Sequence, residues 1–237
     1  MHLSFLSLRV IIGSLEHLLP IGIAVLFTFY IIRFVKHPSN QKYQSIIFKG
    51  LTGFVSLSVL SFHIYYMCFK SYDVKTDLPL YLCSLIAILI PFFSIYRKYW
   101  MFEILVFWII AGTLQGVITP DIAVGFPSLD YFRYWIVHLG LLSIIFYAIF
   151  VFKMKPKFKS VFKSFFALQL YVVLIVLINS LLDANYFYLN EKPKSASLLD
   201  YFGDWPYYII MTQLIIIPLF LLIYLIFYLT SYRKIKV

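Results

Sequence analysis

Seven apolar runs follow one another along this chain, near residues 17–34, 46–68, 78–95, 100–118, 132–152, 160–182 and 207–230. Each is close to the ~20 residues that a helix needs to cross the ~30 Å hydrocarbon core of a bilayer. Backbone polar groups find no water at that depth, so spanning segments of this length must satisfy themselves as helices. The runs therefore predict an all-α polytopic bundle of about seven transmembrane helices. Only 13% of residues are charged and 62% are hydrophobic, whereas soluble domains carry roughly 25% charged residues. Spans and short connections account for nearly all 237 residues, so residues 1–237 are expected to form a single transmembrane helical domain. Residues 1–16 are too short and too mixed for another span and can lie along the interface. Arg9 interrupts them and no small-residue cleavage pattern follows, unlike a cleaved signal peptide.

Charge sorts by connection. The first loop holds Arg33, Lys36, Lys42 and Lys49, the third Arg97 and Lys98, the fifth Lys153, Lys155, Lys157, Lys159 and Lys163, and the tail Arg233, Lys234 and Lys236. The second, fourth and sixth connections carry Asp73, Asp77, Asp121, Asp130, Asp183, Glu191, Asp200 and Asp204. Positive-inside counting puts the N-terminus outside and the C-terminus in the cytoplasm, which requires an odd number of spans. The net charge of +10 is thus a topology signal, and no nucleic-acid role is assigned. Cys68 and Cys83 are too few and too apolar in setting for a disulfide framework or a redox motif.

Polar groups inside the spans cost free energy in hydrocarbon and so raise functional hypotheses. Here they crowd toward the outer ends: Glu16 and His17 in the first span, His63 in the second, Cys83 about two turns into the third, Gln115 in the fourth, His138 about two turns into the fifth, Asn179 in the sixth and Gln213 in the seventh. This predicts a polar cavity opening outward. Each residue has an alternative structural use. Cysteine is a serviceable small packing residue, and His138, Asn179 and Gln115 can hydrogen-bond between helices. Cys83 and His138 nevertheless come out at the same depth on different helices. A thiol in apolar surroundings is inert unless a base stands beside it, and His138 is a candidate base. The aromatic stretch from Asn179 to Tyr208, with Asn185, Tyr186, Trp205 and Tyr207, suits the headgroup level of a membrane, and Lys192 and Lys194 beside it suit a phosphate headgroup.

The stretches "EHLLPI", "LPLYLCSL", "FEILVFWIIAGTLQGVITPD", "VHLG", "NYFYLNEKP" and "ASLLDYFGDWPYY", in this order and spacing, resemble the YwaF-like integral membrane proteins of bacteria. These look related to the vertebrate transmembrane protein 164 phospholipid acyltransferases, and the likeness covers nearly the whole chain. It implies a multi-pass protein of the bacterial cell membrane. It also implies that Cys83 takes a fatty acyl chain from a phospholipid as a thioester and passes it to a lysophospholipid, with His138 as general base and no cofactor. Tyr81, Gln115 and Asn179 are candidate oxyanion donors, and Asn185, Tyr186 and His17 candidate substrate contacts, all toward the outer ends. Relatives often read "LPLHLC", with His where this chain has Tyr81. Tyrosine donates a hydrogen bond but is no base at neutral pH.

Two rival readings share the same polar residues. One is a transporter or lipid- or ligand-binding membrane protein, although repeated halves are not evident and only Pro20, Pro91 and Pro218 offer kinks. The other is a zinc-dependent lipid hydrolase with His17, His63 and His138 as ligands, which lacks a histidine pair on one helix to anchor the metal.

Overall fold

The computed structural model describes residues 9–232. They form a helical bundle of α1 (Leu15–Lys36), α2 (Gln44–Phe69), α3 (Leu82–Tyr96), α4 (Tyr99–Ile118), α5 (Leu129–Phe150), α6 (Phe158–Leu182) and α7 (Tyr207–Tyr232). Six of these are long and apolar enough to cross a membrane, and α3 is a shorter apolar helix. The seven apolar runs thus become seven helices. The suggested interfacial placement of residues 1–16 falls in part, at 1–8, outside the described residues, as do the tail bases Arg233, Lys234 and Lys236.

Local chemistry sets several helix ends. Ser128 caps α5 by accepting from the Tyr131 amide at 3.1 Å, and Asp130 sits in that helix's first turn, where the helix dipole favours a negative charge. Arg97 ends α3 in the left-handed region, at φ +46°. Only two residues then separate α3 from α4, so the two run antiparallel.

Helix α5 is central. Its apolar window is 56% buried within the protein, against 6% for α1 and 11% for α7, whose side chains are largely left to lipid. α2 packs on both α3 and α5, α1 on α5, and α4 on α6. Inside the bundle the contacts are those of a dry core, with Phe48 stacked on Tyr147 at 5.3 Å and edge-on to Phe93 at 5.7 Å. Small hydroxyl pairs tie helices together, as Thr52 does to Ser94 at 2.8 Å and Thr28 to Ser143 at 2.7 Å. At the basic end Glu103 of α4, 2% exposed, is paired with Lys163 and accepts from Ser160 of α6, both at 2.7 Å. A buried carboxylate without those partners would be strongly destabilising.

The third helix differs from the sequence expectation. The apolar run from residue 78 predicts helix throughout, yet α3 begins only at Leu82. Pro79 has no amide to contribute, and tertiary partners take the neighbouring backbone groups. The Leu78 amide donates to the Tyr186 hydroxyl at 2.9 Å, and the Leu80 carbonyl accepts from the Tyr171 hydroxyl at 2.6 Å. Cys83 is therefore in the first turn of its helix rather than two turns in. It remains recessed for a different reason. Fifteen residues span about 22 Å, short of the ~30 Å hydrocarbon core, so non-helical, bent chain at 78–81 covers the rest of the depth. Such irregular backbone is tolerated where protein surrounds it.

Helix α4 is interrupted by a π-helical turn, Ile109–Thr113, within the sequence "IIAGT". The wider turn lies against α3, α5 and α7. It re-aims the following stretch, Leu114–Ile118, relative to a regular α-helix, as such bulges do at many functional sites.

Candidate active site

Three elements converge at the end of the bundle that charge assigns to the outside: the first turn of α3, the bulged half of α4 and the outer half of α5. Cys83 is half-buried, and its Sγ lies 3.5 Å from Oγ1 of the fully buried Thr113, the last residue of the bulge. His138 donates from Nδ1 to the Tyr134 carbonyl one turn earlier, at 2.8 Å. A carbonyl only accepts, so in the neutral ring the proton is on Nδ1 and the Nε2 lone pair is free. The ring is held flat against Tyr134, with centroids 4.0 Å apart and planes at 19°. Tyr134 is itself anchored by donating to the Gly116 carbonyl at 2.7 Å.

Gly116 is what lets this ring approach α4. A methyl added there would lie 2.8 Å from both Cδ2 and Nε2 of His138, closer than carbon atoms pack. Thr113 and Gly116 are three residues apart and therefore neighbours on one helix face, about 5–6 Å between adjacent positions. Cys83 and His138 thus adjoin consecutive stations on the same face of α4. No hydrogen bond joins the two side chains directly.

The first turn of α3 adds a feature that the sequence reading missed. No side chain caps it, and the opening amides of a helix have no partner within it. The amides of Cys83 and Ser84 belong to this turn, beside the thiol. The side chains singled out from sequence, by contrast, are largely engaged elsewhere. Asn179 is 2% exposed and gives its Nδ2 to the Tyr186 carbonyl at 2.9 Å, while its Oδ1 accepts from the Tyr186 amide at 2.8 Å. Gln115 donates to the Thr119 hydroxyl just past the end of α4 at 2.9 Å. Tyr81 flanks the site, its ring 5.5 Å from that of Tyr186 and 5.4 Å from that of Tyr188.

The loop between α6 and α7 covers this end. Tyr186 is fully buried and its hydroxyl donates to the Val74 carbonyl at 2.7 Å. Burial pushes its phenol up to about 12, so it acts as a neutral hydrogen-bonding strut. Burial, then the Asp121 carboxylate to which it donates at 3.1 Å, push the Tyr188 phenol up as well. Asn185 knots the loop, its Oδ1 accepting from the amides of Asn190 and Glu191 and its Nδ2 donating to the Glu191 carbonyl. Arg9 pairs with Asp121 and donates to Ser195 at 2.5 Å, tying the start of the described chain to the same cover.

His17 has a structural clasp. Its Nδ1 accepts from the Gly13 amide at 2.9 Å and its Nε2 donates to the Val117 carbonyl at 2.8 Å, fixing α1 to α4. Both nitrogens are occupied, so it offers no lone pair to a metal, and among the described residues His17, His63 and His138 do not gather into a ligand cluster.

Seven apolar helices, six of them long enough to cross a membrane, define a multi-pass membrane protein, in which a half-buried thiol and a half-buried histidine adjoin one face of α4. The model of the TMEM164 family matches residues 12–224, nearly the whole chain. The chain belongs to that family. Searches among curated proteins and solved structures give no match.

Proposed function

We propose that the protein is an acyltransferase of the bacterial cell membrane that moves a fatty acyl chain between phospholipid and lysophospholipid through a thioester on Cys83. The observation that carries this reading is the convergence on one face of α4. A thiol stands at Thr113, and an imidazole whose bare nitrogen is Nε2 stands one helical turn away at Gly116.

In the first half-reaction Cys83 Sγ attacks the ester carbonyl carbon of the donor and its proton passes to His138 Nε2. The carbonyl oxygen becomes an oxyanion facing the free amides of the α3 first turn, donors that are fixed before the reaction begins. Collapse breaks the bond to the glycerol oxygen, which leaves with the proton from His138, and the acyl chain remains on sulfur. In the second half-reaction the hydroxyl of a lysophospholipid gives its proton to His138 and attacks the thioester. The new ester forms, and the sulfur regains its proton from the imidazolium. His138 serves as base and then acid in each half. The loop cover and the recess limit water, so that a lysolipid held beside the thioester outcompetes hydrolysis by effective concentration.

Purified protein incubated with a phospholipid labelled in its acyl chain should acquire a hydroxylamine-sensitive label. Cys83→Ser should abolish nearly all of it, and Cys68→Ala, a change at an exposed position, should leave it intact. Wild-type labelling in Cys83→Ala would defeat the assignment.

A further inference from the structure

A second polar feature lies beside the Cys83 site and takes no part in the chemistry above. It is a cavity of about 230 Å³ between α2, the α2–α3 loop, α3 and α5, lined by His63, Asp77, Tyr81, Ser84, Asp130 and Arg133 among others. His63 is 93% buried, and neither of its ring nitrogens makes a hydrogen bond of good geometry, although the Asp77 backbone stands close to the ring. Histidine is amphipathic, but two unpartnered nitrogens at this burial are uncommon and call for a ligand group or water.

The lining is mixed in sign. Arg133 donates from Nε and Nη2 to Asp130 Oδ1, at 3.3 and 2.6 Å, and lies 4.4 Å over the Phe62 ring, which leaves Nη1 free. Asp77 is braced by the Thr76 hydroxyl at 3.0 Å and the Asp73 amide at 2.9 Å. Two carboxylates and one guanidinium give the wall a net charge of −1 while His63 is neutral. A simple anion would meet that net negative charge. A simple cation would leave His63, Ser84 and Arg133 Nη1 unused. A ligand bearing both an anionic oxygen cluster and a cationic nitrogen matches both halves.

We propose that this cavity seats the zwitterionic phosphodiester headgroup of a phospholipid, its phosphate toward His63, Ser84 and Arg133 and its ammonium toward Asp77 and Asp130. The volume admits a headgroup and no more, being below the roughly 300–1,000 Å³ of sites for drug-sized ligands. The seat adjoins the nucleophile through the chain itself. Tyr81 and Ser84 line the cavity, while Cys83 between them faces Thr113 on the other side. A lipid with its phosphate beside Ser84 therefore presents its glycerol esters at the α3 first turn. The inference rests on the acyl-transfer reading for its purpose, though not for its test.

Binding is measured on Cys83→Ala protein by titration calorimetry, with dihexanoyl phosphatidylcholine and phosphatidylethanolamine below their micellar concentrations. Dihexanoyl phosphatidylglycerol, inorganic phosphate and glycerophosphocholine are run as comparison probes. The zwitterionic lipids should bind at least tenfold more tightly than any comparison probe. His63→Leu and the milder Ser84→Ala should each weaken them by fivefold or more in protein with unchanged gel-filtration profile and melting curve. Equal affinity for phosphatidylglycerol or phosphate overturns the proposal, and equal affinity for glycerophosphocholine reassigns the cavity to a free solute. Binding unaffected by either substitution also overturns it. Since the protein lacks Cys83, loss of acyl transfer and loss of headgroup binding are read separately.

Discussion

Replacing Gly116 by alanine tests whether the placement of His138 matters more than its mere presence. The added methyl meets Cδ2 and Nε2 of His138 at 2.8 Å and the Tyr134 hydroxyl at 3.2 Å, where ordinary contact begins near 3.4 Å. The ring must retreat by about 0.6 Å, and its stacking on Tyr134 and hydrogen bond to the Tyr134 carbonyl restrict the direction. Overpacking typically costs about 1–3 kcal/mol, while alanine recovers up to about 1 kcal/mol of helix propensity over glycine. The net loss of stability is then about 0–3 kcal/mol, read from the melting curve. Misplacement of a reacting group by about 1 Å costs on the order of a hundredfold in rate, so the acyl-labelling rate should fall about tenfold or more. Gly140→Ala is the control. Its methyl would lie 2.4 Å from Val55 Cγ2, straining the α2–α5 contact and lowering the melting temperature further, with the labelling rate per folded molecule little changed. Initial labelling rates and thermal unfolding in the same detergent read both effects. If Gly116→Ala is destabilised yet labels at the wild-type rate, the argument that His138 handles the proton from this position fails.

Thr113→Val keeps the shape of the side chain but removes the hydroxyl at 3.5 Å from Cys83 Sγ, a donor that would stabilise the thiolate, so alkylation of Cys83 at pH 8 should slow severalfold while Cys68 reacts as before. Asn179→Leu strips the partners from the Tyr186 amide and carbonyl and should cost about 3 kcal/mol, visible as a lowered melting temperature, since unpaired buried groups cost about 1–3 kcal/mol each. The hydrogen bond from Lys75 at 2.8 Å holds the Asp183 carboxyl below its ordinary value; a depressed acid contributes above the ordinary carboxylate range and loses that contribution as pH falls through the depressed value. Melting temperature should therefore respond to this pair only below about pH 4, and Asp183→Asn, compatible with the left-handed backbone there at φ +51°, should remove the response.

Hydropathy made the seven helices legible because each span had to be apolar over its length. It also misplaced the start of α3, because Leu78, Pro79, Leu80 and Tyr81 read as the opening of an apolar run. What stops the helix is tertiary: hydroxyls from Tyr186, more than a hundred residues on, and from Tyr171 claim the backbone. The Cys83 and His138 pairing was suggested by depth counting, since charge sorting fixes the direction of each span. The π-helical turn in "IIAGT" and the contact at Gly116 carry no sequence signal of their own. Asn179 shows the converse limit. An amide near an outer end suits a catalytic donor and a loop lock equally, and only its two bonds to Tyr186 distinguish them. His63 was visible as a costly polar residue, but the cavity it lines depends on Asp77 and Arg133 arriving from other elements.

The shortness of α3 links these features. A full-length third helix would carry its first turn, with its free amides, up to the headgroup level, where water would solvate both amides and thiol. Ending α3 at about 22 Å lowers that turn, and the non-helical segment 78–81 fills the gap, its backbone held by Tyr171 and Tyr186 and by the Leu80 amide donating to the Leu78 carbonyl. The tyrosine-rich loop is thus more than an interfacial anchor, since Tyr186 holds the segment that precedes Cys83. Tyr186→Phe is the direct test: it removes the hydroxyl shared by Leu78 and Val74 while leaving the ring in place. The expected result is a segment 78–81 that exchanges its amides faster and a Cys83 that reacts faster with a water-soluble alkylating agent. Its acyl label, once formed, should also be lost to hydrolysis sooner. Unchanged exchange and unchanged alkylation would mean that the recess is fixed by helix packing alone and that the loop has no part in keeping water from the thiol.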